Sequence, residues 1–182
     1  ADDAQLLVQQ AQRCREILAR FAGRPEEQAG GEIMQPLPLP ALVDLAAAAH
    51  RRAGVTIAID AQPGPQPMAA RSPEIVHGLG NLIQNAADFA RARETLALGW
   101  DDREVWIEVL DDGPGINVDI LSALGEPYVT SRGDRDGMGL GVFIAKTLLE
   151  HTGASVAFAN RPGGGAKAVV RWPRPALEGT RA

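Results

Sequence analysis

The chain has 182 residues, 45% hydrophobic and 23% charged, which is typical of a soluble globular protein of one domain with an appendage. Eighteen basic and 23 acidic residues give a net charge of −5, and no cluster of Lys and Arg predicts nucleic-acid binding. A single cysteine excludes a disulfide framework and a cysteine-rich zinc site, and we expect a cytoplasmic location.

The first predicted element is an amphipathic helix over residues 4–21. Its apolar residues recur at alternating spacings of four and three, as in one helix of a small bundle. They are Leu7, Ala11, Cys14, Leu18 and Phe21. Residues 23–40 are rich in Gly, Pro and Glu and predict a linker.

Helices and strands alternate in the rest of the chain. We predict helices over 42–51, 73–98 and 140–151, and strands over 54–60, 104–110, 154–159 and 166–172. Ser72 and Pro73 are typical of a helix start, and Gly153 of a helix end. This alternation predicts an α/β domain with one mixed sheet and helices on one face.

The helix from residue 73 has two distinct faces. The apolar face is predicted to join the core and contains Ile75, Leu79, Leu82, Ile83, Ala86 and Ala90. The opposite face carries a narrow polar stripe of His77, Asn81, Asn85 and Asp88. The stripe is either solvated surface or a site for a hard cation and a polyphosphate, since a carboxamide offers both an oxygen ligand and N–H donors.

Residues 111–116 follow a predicted strand directly and read Asp-Asp-Gly-Pro-Gly-Ile. One interpretation is a simple β-turn. The other is a binding site, in which glycine lets a flat ligand approach the backbone. Asp111 would then accept a hydrogen bond from an exocyclic amine such as that of adenine.

Alternate glycines at positions 137, 139 and 141 precede the predicted helix over 140–151. Backbone N–H groups at a helix N-terminus are suited to phosphate binding. The spacing fits neither a dinucleotide-binding fingerprint nor a P-loop. The segment is therefore either a phosphate-binding loop or a flexible connection.

Taken in order, these segments resemble the ATP-binding (Bergerat) fold shared by histidine kinases, gyrase, Hsp90 and MutL. Residues 81–85 look like the N box, 111–115 the G1 box and 137–141 the G2 box, and 164–166 look like a weakened closing glycine motif. The resemblance covers residues 36–173. It implies a two-layer α/β sandwich that binds ATP and Mg²⁺.

The resemblance also implies individual roles. Asn85 would coordinate Mg²⁺, Asn81 would help to hold phosphate or metal, and Asp111 would bind adenine. Many kinases have Lys-Tyr where this chain has Asp88-Phe89, so Arg132 is expected to supply the missing positive charge. The other expected nucleotide contacts are Phe89, Gly113, Gly115, Ile116, Tyr128, Gly137, Gly139, Leu140 and Gly141.

Asn81 distinguishes the branches of this superfamily. Gyrase-type ATPases have a glutamate there that activates water, whereas an asparagine cannot take up a proton at neutral pH. The resemblance is therefore to sensor histidine kinases, which transfer the γ-phosphate of ATP to a histidine. A related ATPase, or a nucleotide-gated binding module without kinase activity, is the alternative.

Three segments are similar to the RegB/PrrB/ActS group of redox-responsive bacterial sensor kinases. They are residues 85–90, 125–132 and 13–18, the last similar to that group's redox box around Cys14. The similarity implies that Cys14 is a redox-reactive thiol in a homodimer. Its position in the apolar seam is equally typical of a small buried hydrophobe.

The resemblance predicts the division of the chain and its partners. Residues 1–22 would be the last helix of a dimerisation and phosphotransfer domain, 23–35 a linker, 36–175 the catalytic domain and 176–182 a tail. We interpret His50, His77 and His151 as non-acceptors, and expect the acceptor histidine on an upstream H-box domain of a larger sensor anchored in the bacterial inner membrane. A cognate response regulator would be the other partner.

Overall fold

The computed structural model describes residues 35–51, 53–126, 129 and 140–179. The predicted helix over 4–21, with Cys14, lies outside the described residues. In chain order the described elements are β1 (Leu37–Pro38), α1 (Leu39–Ala48), β2 (Thr56–Ala61), β3 (Met68–Ala69), α2 (Pro73–Phe89), β4 (Arg93–Trp100), β5 (Glu104–Asp111), α3 (Val118–Leu121), α4 (Leu140–His151), β6 (Ser155–Asn160), β7 (Ala166–Pro173) and α5 (Arg174–Glu178).

The main sheet has five strands in the order β2-β4-β5-β7-β6. Strand β2 runs parallel to β4, and the other neighbouring pairs are antiparallel. The predicted mixed sheet is therefore confirmed. Strands β1 and β3 form a separate antiparallel pair of two residues each.

One face of the sheet carries the core. Alternate residues of β4, β5 and β7 join a single apolar cluster with residues of α1, α2 and α4, as expected for strands with one buried face. The fully buried side chains include Leu42, Leu79, Leu96, Leu149 and Trp172. The two-layer architecture, with helices on one face, is the one predicted.

Several predicted elements are confirmed closely. Strands β5, β6 and β7 agree with the prediction to within one residue at each end, and α4 spans the predicted residues. Gly153 has a φ of +85°, which ends α4 as predicted. Within the described residues, no helix is both long and apolar enough to cross a membrane.

The predicted helix over 73–98 is wrong beyond residue 89. Helix α2 ends at Phe89, where Ala90 has an extended ψ of 143°, and β4 begins at Arg93. Residues Glu94, Leu96, Leu98 and Trp100 alternate as buried side chains, which is the period of a strand. The sequence Arg-Glu-Thr-Leu-Ala-Leu favours a helix locally, and pairing with β2 and β5 overrides that preference.

The predicted linker over 23–40 is wrong at its end, because residues 37–40 are already structured. Helix α1 begins at Leu39, with Pro40 in its first turn, where proline costs no hydrogen bond. At the other terminus, α5 crosses the boundary predicted at residue 175. Its Leu177 is fully buried, and the carbonyl oxygen of Leu177 accepts a hydrogen bond from the Ala70 N–H at 2.9 Å. The divisions at residues 22 and 35 stay predictions.

Candidate functional site

Helix α2 holds both candidate asparagines. The Ser72 hydroxyl caps the helix by accepting a hydrogen bond from the Ile75 N–H at 3.1 Å. The apolar face packs into the core, which leaves Asn81 and Asn85 half-buried on the other side. Neither carboxamide makes a hydrogen bond within the part of the chain that the structure describes. Both amides are therefore available to a ligand.

Asp111 is the last residue of β5 and is only 5% exposed. Its Oδ1 accepts hydrogen bonds from the Gly113 N–H at 2.8 Å and the Ala166 N–H at 3.2 Å. Among the described residues no donor contacts its Oδ2. One oxygen thus fixes the carboxylate in place while the other can accept from a ligand, which is what recognition of an exocyclic amine requires.

Gly113 lies where no larger residue fits. A Cβ at this position would collide with the carbonyl oxygen of Phe89 and come within 2.9 Å of Asp111 Oδ1. The end of α2 therefore packs directly on the turn that follows β5. The structure thereby brings together three predicted site residues, namely Phe89, Asp111 and Gly113.

Asp112 joins the same two segments and was not predicted as a site residue. Its carboxylate accepts hydrogen bonds from the N–H groups of Arg91 at 2.7 Å, Ala92 at 3.2 and 3.3 Å, and Arg93 at 3.1 Å. Burial raises the pKa of Asp112, but these backbone hydrogen bonds outweigh it and hold the pKa below its usual range. The carboxylate thus anchors the connection between α2 and β4.

Asn160, at the end of β6, holds the other side of the turn. Its Oδ1 accepts from the Ile116 N–H at 2.6 Å, and its Nδ2 donates to the Ile116 carbonyl oxygen at 2.8 Å. Ile116 is half-buried, in keeping with its predicted place in the site. Gly115 has a φ of +84°, a conformation that favours glycine, and packs beside Asn160.

The third predicted segment is described only in part. Tyr128, Arg132, Gly137 and Gly139 lie outside the described residues, so their roles stay predictions. Leu140 is half-buried and begins α4, as predicted. Gly141 is exposed, and a Cβ there would meet no described atom within 4 Å.

The histidines lie at positions consistent with the prediction. His151 is the last residue of α4, and His77 is exposed on α2. His50 follows α1 and packs against Gly80 of α2. Burial lowers the pKa of His50 and outweighs the opposing effect of the Asp88 charge.

The described residues contain no group of three or more His, Cys, Asp or Glu side chains that could hold a metal ion. A metal bound near Asn85 would therefore take most of its ligands from elsewhere. Carboxamide oxygens suit a hard cation such as Mg²⁺, which usually keeps several waters and binds substrate phosphates. The donor set fits a metal that arrives with a nucleotide.

The chain matches a protein-family model over more than half of its length. Residues 70–176 match the family described as histidine kinase-, DNA gyrase B- and HSP90-like ATPase. This range contains α2, the turn after β5 and α4, which carry the N box, G1 box and G2 box resemblances.

Among curated proteins, sensor histidine kinase RegB of Cereibacter sphaeroides is 40% identical, over 87% of this chain and 37% of its own length. The sensory histidine kinase/phosphatase NtrB of Rhodobacter capsulatus is 29% identical, over 66% of this chain and 39% of its own. The chain thus spans less than two fifths of these curated relatives.

Solved structures show the same fold. The mycobacterial sensor histidine kinase MprB aligns with a TM-score of 0.67 at 19% identity, over 76% of this chain and 97% of that one. Full-length ShkA in complex with AMPPNP aligns with a TM-score of 0.65 at 27% identity, over 85% of this chain and 33% of that one.

Proposed function

The chain belongs to the histidine kinase-, DNA gyrase B- and HSP90-like ATPase family, and we propose from this that it is the ATP-binding catalytic part of a two-component sensor histidine kinase. The observation that carries the proposal is the buried carboxylate of Asp111, fixed by two backbone N–H groups through one oxygen only. The identity with RegB favours kinase activity over the alternatives of an ATPase or a binding module.

Asp111 would recognise the nucleotide base. Its Oδ2 would accept a hydrogen bond from the exocyclic amine of adenine, and guanine has a carbonyl oxygen at that position. Gly113 lets the turn after β5 pack against the carbonyl of Phe89, because a Cβ there would collide with that oxygen, and this close packing would hold Asp111 in place beside the base. Phe89, Gly115, Ile116 and Tyr128 are proposed as further contacts.

Asn85 would hold Mg²⁺ through its carboxamide oxygen, and Asn81 would contact phosphate or metal. The ion would neutralise charge on the phosphates during transfer. Leu140 and Gly141 at the start of α4, with Gly137, Gly139 and Arg132, would bind the phosphates through backbone N–H groups and one guanidinium.

The reaction moves the γ-phosphoryl group from ATP to an imidazole nitrogen of the acceptor histidine. The bond between the γ-phosphorus and the β–γ bridging oxygen breaks, ADP leaves and the imidazole releases its N–H proton to the solvent. We place the acceptor on an upstream H-box domain, in cis or in trans within a homodimer, and the next acceptor on a response-regulator aspartate. We further propose that the parent protein is anchored in the bacterial inner membrane, with this chain on the cytoplasmic side.

Cys14 is proposed as a redox-reactive residue by its similarity to the redox box, supported by the identity with RegB. Oxidation of Cys14 in the dimer would lower kinase output. Thiol-alkylation rates and oxidant sensitivity of kinase activity test this proposal. Equal oxidant sensitivity of the wild type and Cys14→Ala would overturn it.

Titration calorimetry with ATP, ADP and GTP tests nucleotide binding. Asp111→Asn keeps an oxygen for the two backbone N–H groups but loses the negative charge, so we expect weaker binding of ATP and ADP alike, by about 2 kcal/mol. The exposed Asp60→Asn serves as the charge-matched control and should bind as the wild type does. Binding of ATP that is unchanged in Asp111→Asn would contradict the proposed role of Asp111.

A further inference from the structure

Glu94 is a buried acid that the proposed function does not use. It lies on β4, is 0% exposed, and neither carboxyl oxygen has a hydrogen-bond partner within the described part of the chain. No described Lys, Arg or His forms an ion pair with it. A charge in such a place is costly, so its presence needs an explanation.

The pairing of β4 with β5 places Glu94 directly opposite Asp111. Paired residues of an antiparallel ladder project from the same face, with Cβ atoms about 4.5–5.5 Å apart. Both side chains are nearly or fully buried on the face that the helices cover. Glu94 therefore lies beside the carboxylate that we assign to the base.

The surroundings of Glu94 favour its neutral form. Burial, reinforced by the negative charge of Asp111, raises its pKa to about 8. On the other side of β4, Glu94 is paired with the apolar Ile57 of β2. Among the described charged groups, Asp111 is the one that raises the pKa of Glu94. The charge of Asp88 on α2 affects the pKa of His50 instead. The Asp112 carboxylate accepts hydrogen bonds from the backbone of residues 91–93.

We propose that Glu94, in its protonated form, is a positioning residue of the nucleobase subsite, and that nucleotide binding requires it to keep its proton. The inference rests on the proposed function of Asp111 as the base-binding residue. With Glu94 neutral, no second charge lies directly opposite Asp111 on β4, and the Asp111 carboxylate can stay on the N–H groups of Gly113 and Ala166. Ionised Glu94 would push that carboxylate away and repel the phosphates.

Nucleotide binding should strengthen this requirement. A bound base would cover Asp111 and reduce the water that reaches the pair, and the phosphates would add negative charge nearby. Both changes disfavour the ionised form of Glu94. Binding near pH 8 is therefore expected to be accompanied by proton uptake.

The test measures ADP affinity by calorimetry at pH values from 7 to 9, where a second phosphate pKa of about 6 leaves ADP largely ionised. We expect the wild-type affinity to fall about tenfold over this range, as for binding that needs one proton with a pKa near 8. Glu94→Gln should bind ADP with no such dependence. Glu108→Gln removes a charge from the same sheet, in a half-buried pair with Lys167, and should keep the wild-type dependence.

A pH dependence that persists in Glu94→Gln, or that is missing in the wild type, would overturn the inference. If neither the wild type nor any variant binds ADP, or if Asp111→Asn binds ADP as tightly as the wild type does, the proposed function fails instead. If Glu94→Gln does not fold, the wild type is titrated at pH 8 in two buffers of different ionisation enthalpy. Uptake of about half a proton supports the inference, and zero uptake contradicts it.

Discussion

Asp111 and Asp112 are adjacent acids with different tasks, and the hydrogen bonds made by each explain the difference. Asp112 gives both oxygens to the backbone of residues 91–93, whereas Asp111 gives only Oδ1 to the backbone. Asp112 therefore stabilises the fold around the site, and Asp111 retains an acceptor oxygen for a ligand. Sequence alone does not separate them, because the difference arises from strand pairing.

Asn85 is expected to act only through metal. Asn85→Ala should lower the affinity for ATP in the presence of Mg²⁺ and leave binding in EDTA unchanged, because the lost oxygen is a metal ligand. Gln84→Ala, at an exposed position on the same helix, is the control. Calorimetry in both buffers makes the measurement, and a loss of equal size in EDTA would show that Asn85 contacts the nucleotide itself.

Glu94 should also influence the stability of the chain without ligand. Its folded-state pKa of about 8 lies above the ordinary value of 4.5, so the folded state holds the extra proton between these values. Its contribution to the free energy of unfolding is full below pH 4.5 and decreases up to pH 8, by roughly 1.4 kcal/mol per pH unit at most. Urea denaturation from pH 5 to 8 should show a steeper decrease for the wild type than for Glu94→Gln. Parallel curves would contradict this prediction.

At the scale of elements, local signals predicted some strands and helices and failed for others. The turn over 162–165 predicts the β6–β7 pair, and the Ser72-Pro73 start predicts α2. Strand β4 was missed because helix-favouring residues follow a helix directly, and its parallel partner β2 is distant in sequence. The two-residue strands β1 and β3 likewise depend on each other and carry no local signal.

The same distinction applies to the site. Asn81, Asn85 and Asp111 could be proposed from the sequence because their spacing and order form a pattern along the chain. Asn160 and Glu94 were missed because each acts on a partner brought near by strand pairing, 44 residues away for Asn160 and Ile116. A local sequence pattern does not show which distant residue strand pairing will bring into contact.

Asp112 is predicted to stabilise the connection between α2 and β4. Asp112→Ala leaves three backbone N–H groups without their acceptor and should lower the free energy of unfolding measurably. Because its pKa is lowered in the folded state, this difference should be present at neutral pH and disappear as acid protonates the carboxylate. Denaturant titration at pH 7 and at a series of lower pH values measures the difference, with the exposed Asp60→Ala as control. An equal loss in both variants would contradict the anchoring role.

At the scale of the whole molecule, the fold brings segments far apart in sequence to one end of the sheet. Helix α2 supplies the asparagines, the turn after β5 supplies Asp111 and Gly113, and β6 supplies Asn160, which holds that turn. The described residues proposed for base and metal thus lie on elements of one helix-and-sheet unit. Under the proposed function the chain would contribute positioning and charge stabilisation, the two contributions that phosphoryl transfer mainly needs.

Transfer of label from γ-³²P-ATP tests the central claim most directly. Residues 1–182 alone should bind ATP and acquire no acid-labile label, because we place the acceptor histidine on an upstream domain. The parent protein with its H-box domain should become labelled on that histidine, and Asn85→Ala or Asp111→Asn should strongly reduce the labelling. Acid-labile label on residues 1–182 alone, or undiminished labelling of the parent protein carrying Asn85→Ala, would contradict the account.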